Sequence, residues 1–346
     1  MDRDSSSINY SSVLGRAIKP IQFTASEILS LKSERFLITG AGGSIGSRIV
    51  SLLASIPGTE FLATDRDETA LHSLSLDLTS QALFESSNYA LLDVRDAFGV
   101  LDTIQQFKPT VIIHAAALKH LSALQRQPRE AALTNVFGSA NLVDSAISCG
   151  VSKFINISTD KAAEPTSVLG YSKHFAELYI ASKRLNGYTG FTSCRFGNVF
   201  NSRGSVIETF LTQMRIGAPI TLTDQEIQRY FMHVDEAAFL TLKSYLINSG
   251  DIHLFNMGHP VRMLDIVLRM QQILGSKSQI LITGLRDGEK LDELLIESDS
   301  IQKTTSYTDI NVLTLNIEDN PYLCMILEAI ASRNESAIIE LLTQNV

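Results

Sequence analysis

The amino-acid sequence predicts an α/β protein built on a doubly wound parallel sheet. Three observations lead there. Short apolar runs of strand length recur along the first 200 residues. Stretches with apolar residues three and four apart separate them, and the first run passes through a glycine-rich turn straight into a helix. At 346 residues the chain has room for two domains of roughly 100–200 residues each.

The elements follow in order. Residues 1–33 are serine-rich and weakly periodic, and read as an N-terminal arm. RFLITGAGGSIGSRIVSLLAS is a strand, a glycine turn and an amphipathic helix. EFLATD (60–65) is the second strand and DETALHSLSLDLTSQ (67–81) the helix after it. YALLD (89–93), TVIIHAA (110–116), KFINIST (153–159) and GFTSCRF (190–196) continue the strands, with helices around 97–107, 128–148 and 170–185. Beyond about residue 200 the rhythm loosens. A helix near 205–217, ITLTD (220–224), a helix at 234–247, the strand HLFNM and the helix RMLDIVLRMQQIL come next. QILITGL, a helix over RDGEKLDELL and two C-terminal helical stretches complete the chain. This divides it into the arm, a nucleotide-binding domain over 34–200 with 229–260 interleaved, and a smaller α/β substrate domain over 201–346.

Composition narrows the class. An apolar fraction of 45% against 19% charged residues suits a packed protein rather than a disordered one. The net charge of −8, with no basic stripe, argues against nucleic acid as a partner. No run approaches the ~18 apolar residues of a membrane span, and the first residues lack the apolar core of a signal peptide, so a soluble cytoplasmic protein is expected. Cys149, Cys194 and Cys324 are far apart with no CxxC, and the histidines have no HxxxH or HExxH spacing. Neither a disulfide framework nor a metal site is expected.

Gly40, Gly43 and Gly46 form GxxGxxG between the first strand and its helix, with Ser44 and Ile45 at the helix mouth. Glycine permits the tight turn and lets backbone N–H groups approach a pyrophosphate, which the helix N-terminus favours. A glycine triplet alone is a common turn; the strand before and helix after make it a Rossmann dinucleotide fingerprint. Asp65, nineteen residues past Gly46, either accepts hydrogen bonds from an adenosine ribose diol, favouring NAD, or caps the next helix. Arg66 leaves NADP open, because arginine pairs with a 2′-phosphate. Asp93 stands either at the adenine edge or as a turn cap.

GxxGxxG with HAAA after the fourth strand resembles the extended short-chain dehydrogenase/reductases. HAAALKH (114–120), NVFGSANLVDSAISCGVSKFINISTDKA (135–162), RFGNVFNSRGSVI (195–207), RYFM (229–232) and TGLRDGEKL (283–291) together resemble the CapD-type polysaccharide-biosynthesis family. The resemblance runs from about Leu14 to about residue 297. It implies a nucleotide-sugar dehydratase, chiefly one acting on UDP-N-acetylglucosamine at C4 and C6, with NAD as cofactor. Val94, Ala115, Ala116, Lys119, Asn135 and Val199 would join the cofactor contacts. Family members commonly assemble as dimers or larger, which implies a homo-oligomer, and relatives often carry N-terminal membrane helices.

The fifth strand ends in Ser158-Thr159-Asp160-Lys161, and strand C-termini are where open α/β sheets place ligands. Asp160 and Lys161 read as a solvated loop pair or as a proton donor and acceptor. The resemblance favours the second, with Lys161 in the place of the glutamate of dTDP-glucose 4,6-dehydratases. Lys161 would then remove the C5 proton and Asp160 protonate the departing C6 hydroxyl. A basic Lys161 must be neutral, against a free lysine near ~10.4, so burial and the charges of Lys119, Lys173 and the nicotinamide are expected to depress its pKa. Lys173 would hold the nicotinamide ribose. Superfamily members pair it with a tyrosine four residues earlier, where this chain has Leu169. Tyr171 does not substitute: at ~100° per residue it points some 200° from Lys173. Thr159, with Asp160 or Lys161, would manage the O4 proton. The resemblance leans toward the subgroup that retains configuration at C5, because the C5-inverting members usually keep the tyrosine.

On the substrate side, the resemblance implies Lys119, His120, Asn198 and Ser205, with Arg203, Arg229 and Arg286 as diphosphate clamps suited by their forked donors. Gln125 and Asp287 depart from the family's usual Glu and Pro. Two other readings stand beside the dehydratase: a nucleotide-sugar epimerase, which needs no elimination pair, and an idle NAD-binding regulator, suggested by Leu169.

Overall fold

The computed structural model of the protein describes residues 9–80, 87–297 and 300–344. The first eight residues of the expected arm and Gln81, at the end of the expected second helix, lie outside the described residues. Among the described residues nine strands form the central sheet: β1 (Arg35–Thr39), β2 (Glu60–Asp65), β3 (Tyr89–Leu91), β4 (Val111–His114), β5 (Lys153–Ile157), β6 (Phe191–Arg195), β7 (Ile252–Phe255), β8 (Ile301–Thr304) and β9 (Ile310–Thr314). Their order is β8-β9-β7-β6-β5-β4-β1-β2-β3. From β3 to β7 every neighbour is parallel, as the strand–helix alternation predicts. Beyond β7, β9 runs antiparallel to the rest, and the edge strand β8, antiparallel to β9, returns to the common direction.

Alternating side chains build three layers. Leu37, Ile112 and Phe154 face the helices Ala97–Phe107, Gly138–Ser148 and Val168–Leu185. Phe36, Ile38, Val111, Ile113 and Ile155 face the opposite side, with Ser44–Ala54 and Val234–Ser244. The Rossmann-type α/β fold is therefore as the sequence predicts. A third core, around Phe210, Ile220, Phe231 and Ile266, forms a smaller unit that also takes in Tyr10 and Val13.

The N-terminal arm folds back as two helices, Tyr10–Leu14 and Ala25–Lys32, the second closed by a capping box of Thr24 and Glu27. Arg16 pairs with Glu236 at 3.0 Å, Lys19 with Asp309 at 2.5 Å, and Glu27 with Lys243.

Two segments differ from expectation. The helix over 128–148 contains a wider π-helical turn, Ala132–Phe137. RDGEKLDELL is not helical. Gly284 (φ +84°) and Gly288 (φ +75°) turn the chain, and the Lys290 and Leu291 carbonyls accept from Arg229 instead of closing helical turns. Among the described residues no helix is long and apolar enough to cross a membrane.

Candidate active site

The strand order reverses between β1 and β4, and ligands of such sheets lie at the strand C-termini beside that point. Gly40 leaves β1 with φ +66°, and a Cβ on it would sit 2.5 Å from the Ala116 nitrogen. A Cβ on Gly46 would lie 2.2 Å from the Gly40 carbonyl oxygen. Only glycine fits at either place. The helix Ser44–Ala54 starts at Gly43 with no side-chain cap, so its first N–H groups face the cleft. Gly40, Gly43, Asp65, Arg66, Asp93, Val94, Ala115, Ala116 and Thr134 line one cavity there. A cradle with no room for side chains and an uncapped helix end fits a dinucleotide pyrophosphate.

Asp65 Oδ2 accepts from the Gly42 N–H at 2.9 Å, tying β2 to the glycine loop, while Asp67 caps the next helix. The Asp93 carboxylate is gripped by Arg95 through Nε and Nη2, which holds its pKa below the usual range against the opposing effect of burial. Asn135, in the π-helical turn, accepts from Leu118 N and donates to Leu118 O and Ser172 Oγ, fixing the loop after β4 to the helix Val168–Leu185.

The strip after β5 is pinned by Ser158 N on Cys194 O and Asp160 N on Phe196 O. Asp160 is fully buried. Its Oδ1 accepts from Thr159 Oγ1 at 2.9 Å and Lys161 Nζ at 3.0 Å, and its Oδ2 has no partner. Lys173 is buried and donates to Ile157 O at 2.8 Å; burial pulls its pKa down to about 8, with Glu177 opposing. Leu169 and Tyr171 are buried in the core, the tyrosine ring 5.9 Å from Phe175 and 6.1 Å from Tyr322.

The expectation of a depressed Lys161 is overturned. Burial does pull its pKa down, but the carboxylates of Asp160 and Glu293 outweigh burial and the opposing charge of Arg229, raising it above the ordinary lysine value. Glu293, 3.4 Å from Lys161 Nζ, was not marked by any sequence motif considered above. Its loop is stitched to the strip by Thr166 Oγ1 on Gly288 O and Lys290 Nζ on Ala163 O.

The substrate-side set separates. His120 and Arg286 line a cavity of about 430 Å³ together with Arg126 and Gln127. Arg203 reaches instead to the glycine loop, donating to Gly42 O at 2.6 Å, and Lys119 donates to Arg203 O. Arg229 is buried, its donors on Gln228 O, Lys290 O and Leu291 O, so it braces a loop rather than presenting a free fork. Ser205 caps the helix Val206–Arg215. Asn198 and Val199 lie on a short strand beside Phe231–Met232. Gln125 Oε1 accepts from Val168 N.

Arg195, at the end of β6, is fully buried and pairs with Glu177 at 2.5 Å and Glu297 at 2.7 Å. His174, Glu177 and Glu297 bring ligand atoms within 4.8 Å of one another, but both carboxylates are already engaged by the Arg195 guanidinium.

Known proteins resemble this chain. The chain is 36% identical over 287 residues to the capsular polysaccharide biosynthesis protein CapD of Staphylococcus aureus, covering 81% of this chain and 48% of CapD, so it spans about half the length of that relative. It is 32% identical over 295 residues to a UDP-glucose 4-epimerase of Rickettsia rickettsii, covering 83% of this chain and 84% of that one. The X-ray structure of Pen from Bacillus thuringiensis aligns with a TM-score of 0.73 at 28% identity, over 83% of this chain and 91% of that one. The family model described as polysaccharide biosynthesis protein matches residues 36–315, and the chain belongs to that family.

Proposed function

We propose that the protein is a nucleotide-sugar 4,6-dehydratase acting on UDP-N-acetylglucosamine, with NAD as cofactor, in the supply of glycan precursors. The observation that carries this reading is the ion pair of buried Asp160 with part-buried Lys161 just past the C-terminus of β5, on the sheet that carries the glycine cradle at the end of β1. When bound, NAD supplies hydride exchange, accepting from sugar C4 and returning to C6. The resulting 4-ketone acidifies the C5 proton.

The chain's own residues perform the elimination. A proton passing along the 3.0 Å bond from Lys161 Nζ to Asp160 Oδ1 creates an amine and a carboxylic acid together, with no change in net charge. The amine takes the C5 proton. The acid protonates the C6 hydroxyl; the C6–O bond breaks, water leaves, and the C5–C6 double bond forms. This leaves an ammonium and a carboxylate. As hydride reaches C6 the ammonium, exchanged with solvent, would return a proton to C5, and a solvent proton, matching the one O4 gives up on oxidation, restores the resting pair. Thr159 orients Asp160 and stands where the O4 proton must be managed, and Lys173 would hold the nicotinamide ribose.

Two measurements test this. In deuterated water with UDP-N-acetylglucosamine, the expected product has lost one water, carries a 4-keto-6-deoxy sugar and has deuterium at C5, read by NMR and mass spectrometry. An isomer of unchanged mass would favour the epimerase reading, which the Rickettsia relative suggests. Separately, Gly46→Ala places a Cβ 2.2 Å from a backbone oxygen. It should weaken NAD binding about tenfold or more, ~1.4 kcal/mol, by isothermal titration calorimetry. Undiminished affinity would remove the cradle from the cofactor site.

A further inference from the structure

We infer that Glu293 is a positioning residue of the elimination, its carboxylate orienting the Lys161 amine and receiving the positive charge that forms there. This inference rests on the dehydratase reading above. Its basis is geometric. Glu293 is 6% exposed, its Oε1 lies 3.4 Å from Lys161 Nζ, and its Oε2 is buried with no partner. Asp160 flanks the same nitrogen at 3.0 Å, and it too keeps one oxygen without a partner. Two buried carboxylates thus share one ammonium, and two buried oxygens go unsatisfied, an arrangement that costs stability. Arg229 also faces Lys161, but its donors are committed to three carbonyls and it lies 3.5 Å from Glu289.

The arrangement suits the proton sequence. Once Asp160 holds the proton destined for the C6 hydroxyl, it no longer provides a carboxylate for the amine. Glu293 is then the remaining carboxylate, among the described residues, paired with Lys161. It accepts an N–H, aims the lone pair of Nζ, and stabilises the ammonium as the C5 proton arrives, as the aspartate does for the imidazolium of a serine-protease triad.

The test compares wild type, Glu293→Gln and Glu293→Asp with UDP-N-acetylglucosamine in deuterated water. Glu293→Gln should lose kcat about 30-fold or more, with KM within about threefold. It should still show transient nicotinamide reduction, and Glu293→Asp should recover part of the rate. A glutamine variant with wild-type kcat overturns the inference, whereas a wild type that makes no dehydrated product overturns the reading on which it rests. A second measurement needs no substrate. In protein carrying lysine labelled with carbon-13 at Cε, the Lys161 signal, assigned by its loss in Lys161→Gln, should titrate about one pH unit lower in Glu293→Gln than in wild type. Equal midpoints would show that Glu293 does not support the ammonium, and would overturn the inference.

Discussion

Lys161→Gln is expected to stop water elimination while sparing oxidation at C4. Glutamine keeps a hydrogen-bond donor for Asp160 but cannot accept the C5 proton. General acid–base groups contribute typically 10²–10⁴-fold, and Lys161 is the proposed source of the Asp160 proton as well as the base, so a loss of about 10³-fold or more in kcat is expected. Hydride taken from C4 then has no C5–C6 double bond to return across. Reduced nicotinamide should therefore accumulate, seen as rising absorbance near 340 nm with no dehydrated sugar in the mass spectrum. A variant keeping more than about a tenth of wild-type turnover would exclude Lys161 as the base. The two carboxylates beside the ammonium also bear on how the base arises. They raise the pKa of Lys161 above the ordinary lysine value, which on the proposed mechanism favours transfer of its proton within the site over its loss to solvent.

Arg195→Met is expected to have the largest effect on stability. The guanidinium makes paired contacts to Glu177 (2.5 and 3.2 Å) and Glu297 (2.7 and 2.9 Å) and a further bond to Leu295 O. Burial alone would raise the Glu297 pKa, but the arginine outweighs it and keeps the carboxylate below its ordinary value. Methionine fills much of the volume and leaves two carboxylates without a counter-ion. Breaking a buried pair in this way costs about 3–5 kcal/mol, a fall of about 4–7 °C in Tm for a chain of this size. Adding Glu177→Gln and Glu297→Gln should recover a substantial part, because the stranded charges go. A single variant melting within about 2 °C of wild type would show that the network contributes little.

Most of the fold over residues 34–200 was legible in the sequence because each strand and helix there carries its own period. EFLATD and the helix at 97–107 occur at their expected boundaries. The glycine cradle was legible for the same local reason. The partners of Lys161 were not, since Glu293 lies far along the chain in a segment whose leucine spacing imitates a helix and which two positive-φ glycines turn aside. Arg195 reads in GFTSCRF as a polar residue closing a strand, and nothing local shows that two glutamates will enclose it. The edge strand β8, IQKT, exposes all four side chains, so no apolar alternation announces it.

The C-terminal helices Leu323–Ala331 and Glu335–Thr343 have a bearing on how the protein is made. They bring Ile326, Ile330, Ile338 and Leu342 into the core that surrounds Val168–Leu185, and Tyr322 places its ring 5.6 Å from Phe175. During synthesis at ≈ 5–20 residues per second, Phe175 precedes this cover by roughly 10–30 s. Throughout that interval the nascent chain carries an aromatic face without the cover of these helices, and the sheet gains its last three strands only within it. Such a chain offers chaperones a defined window for engagement.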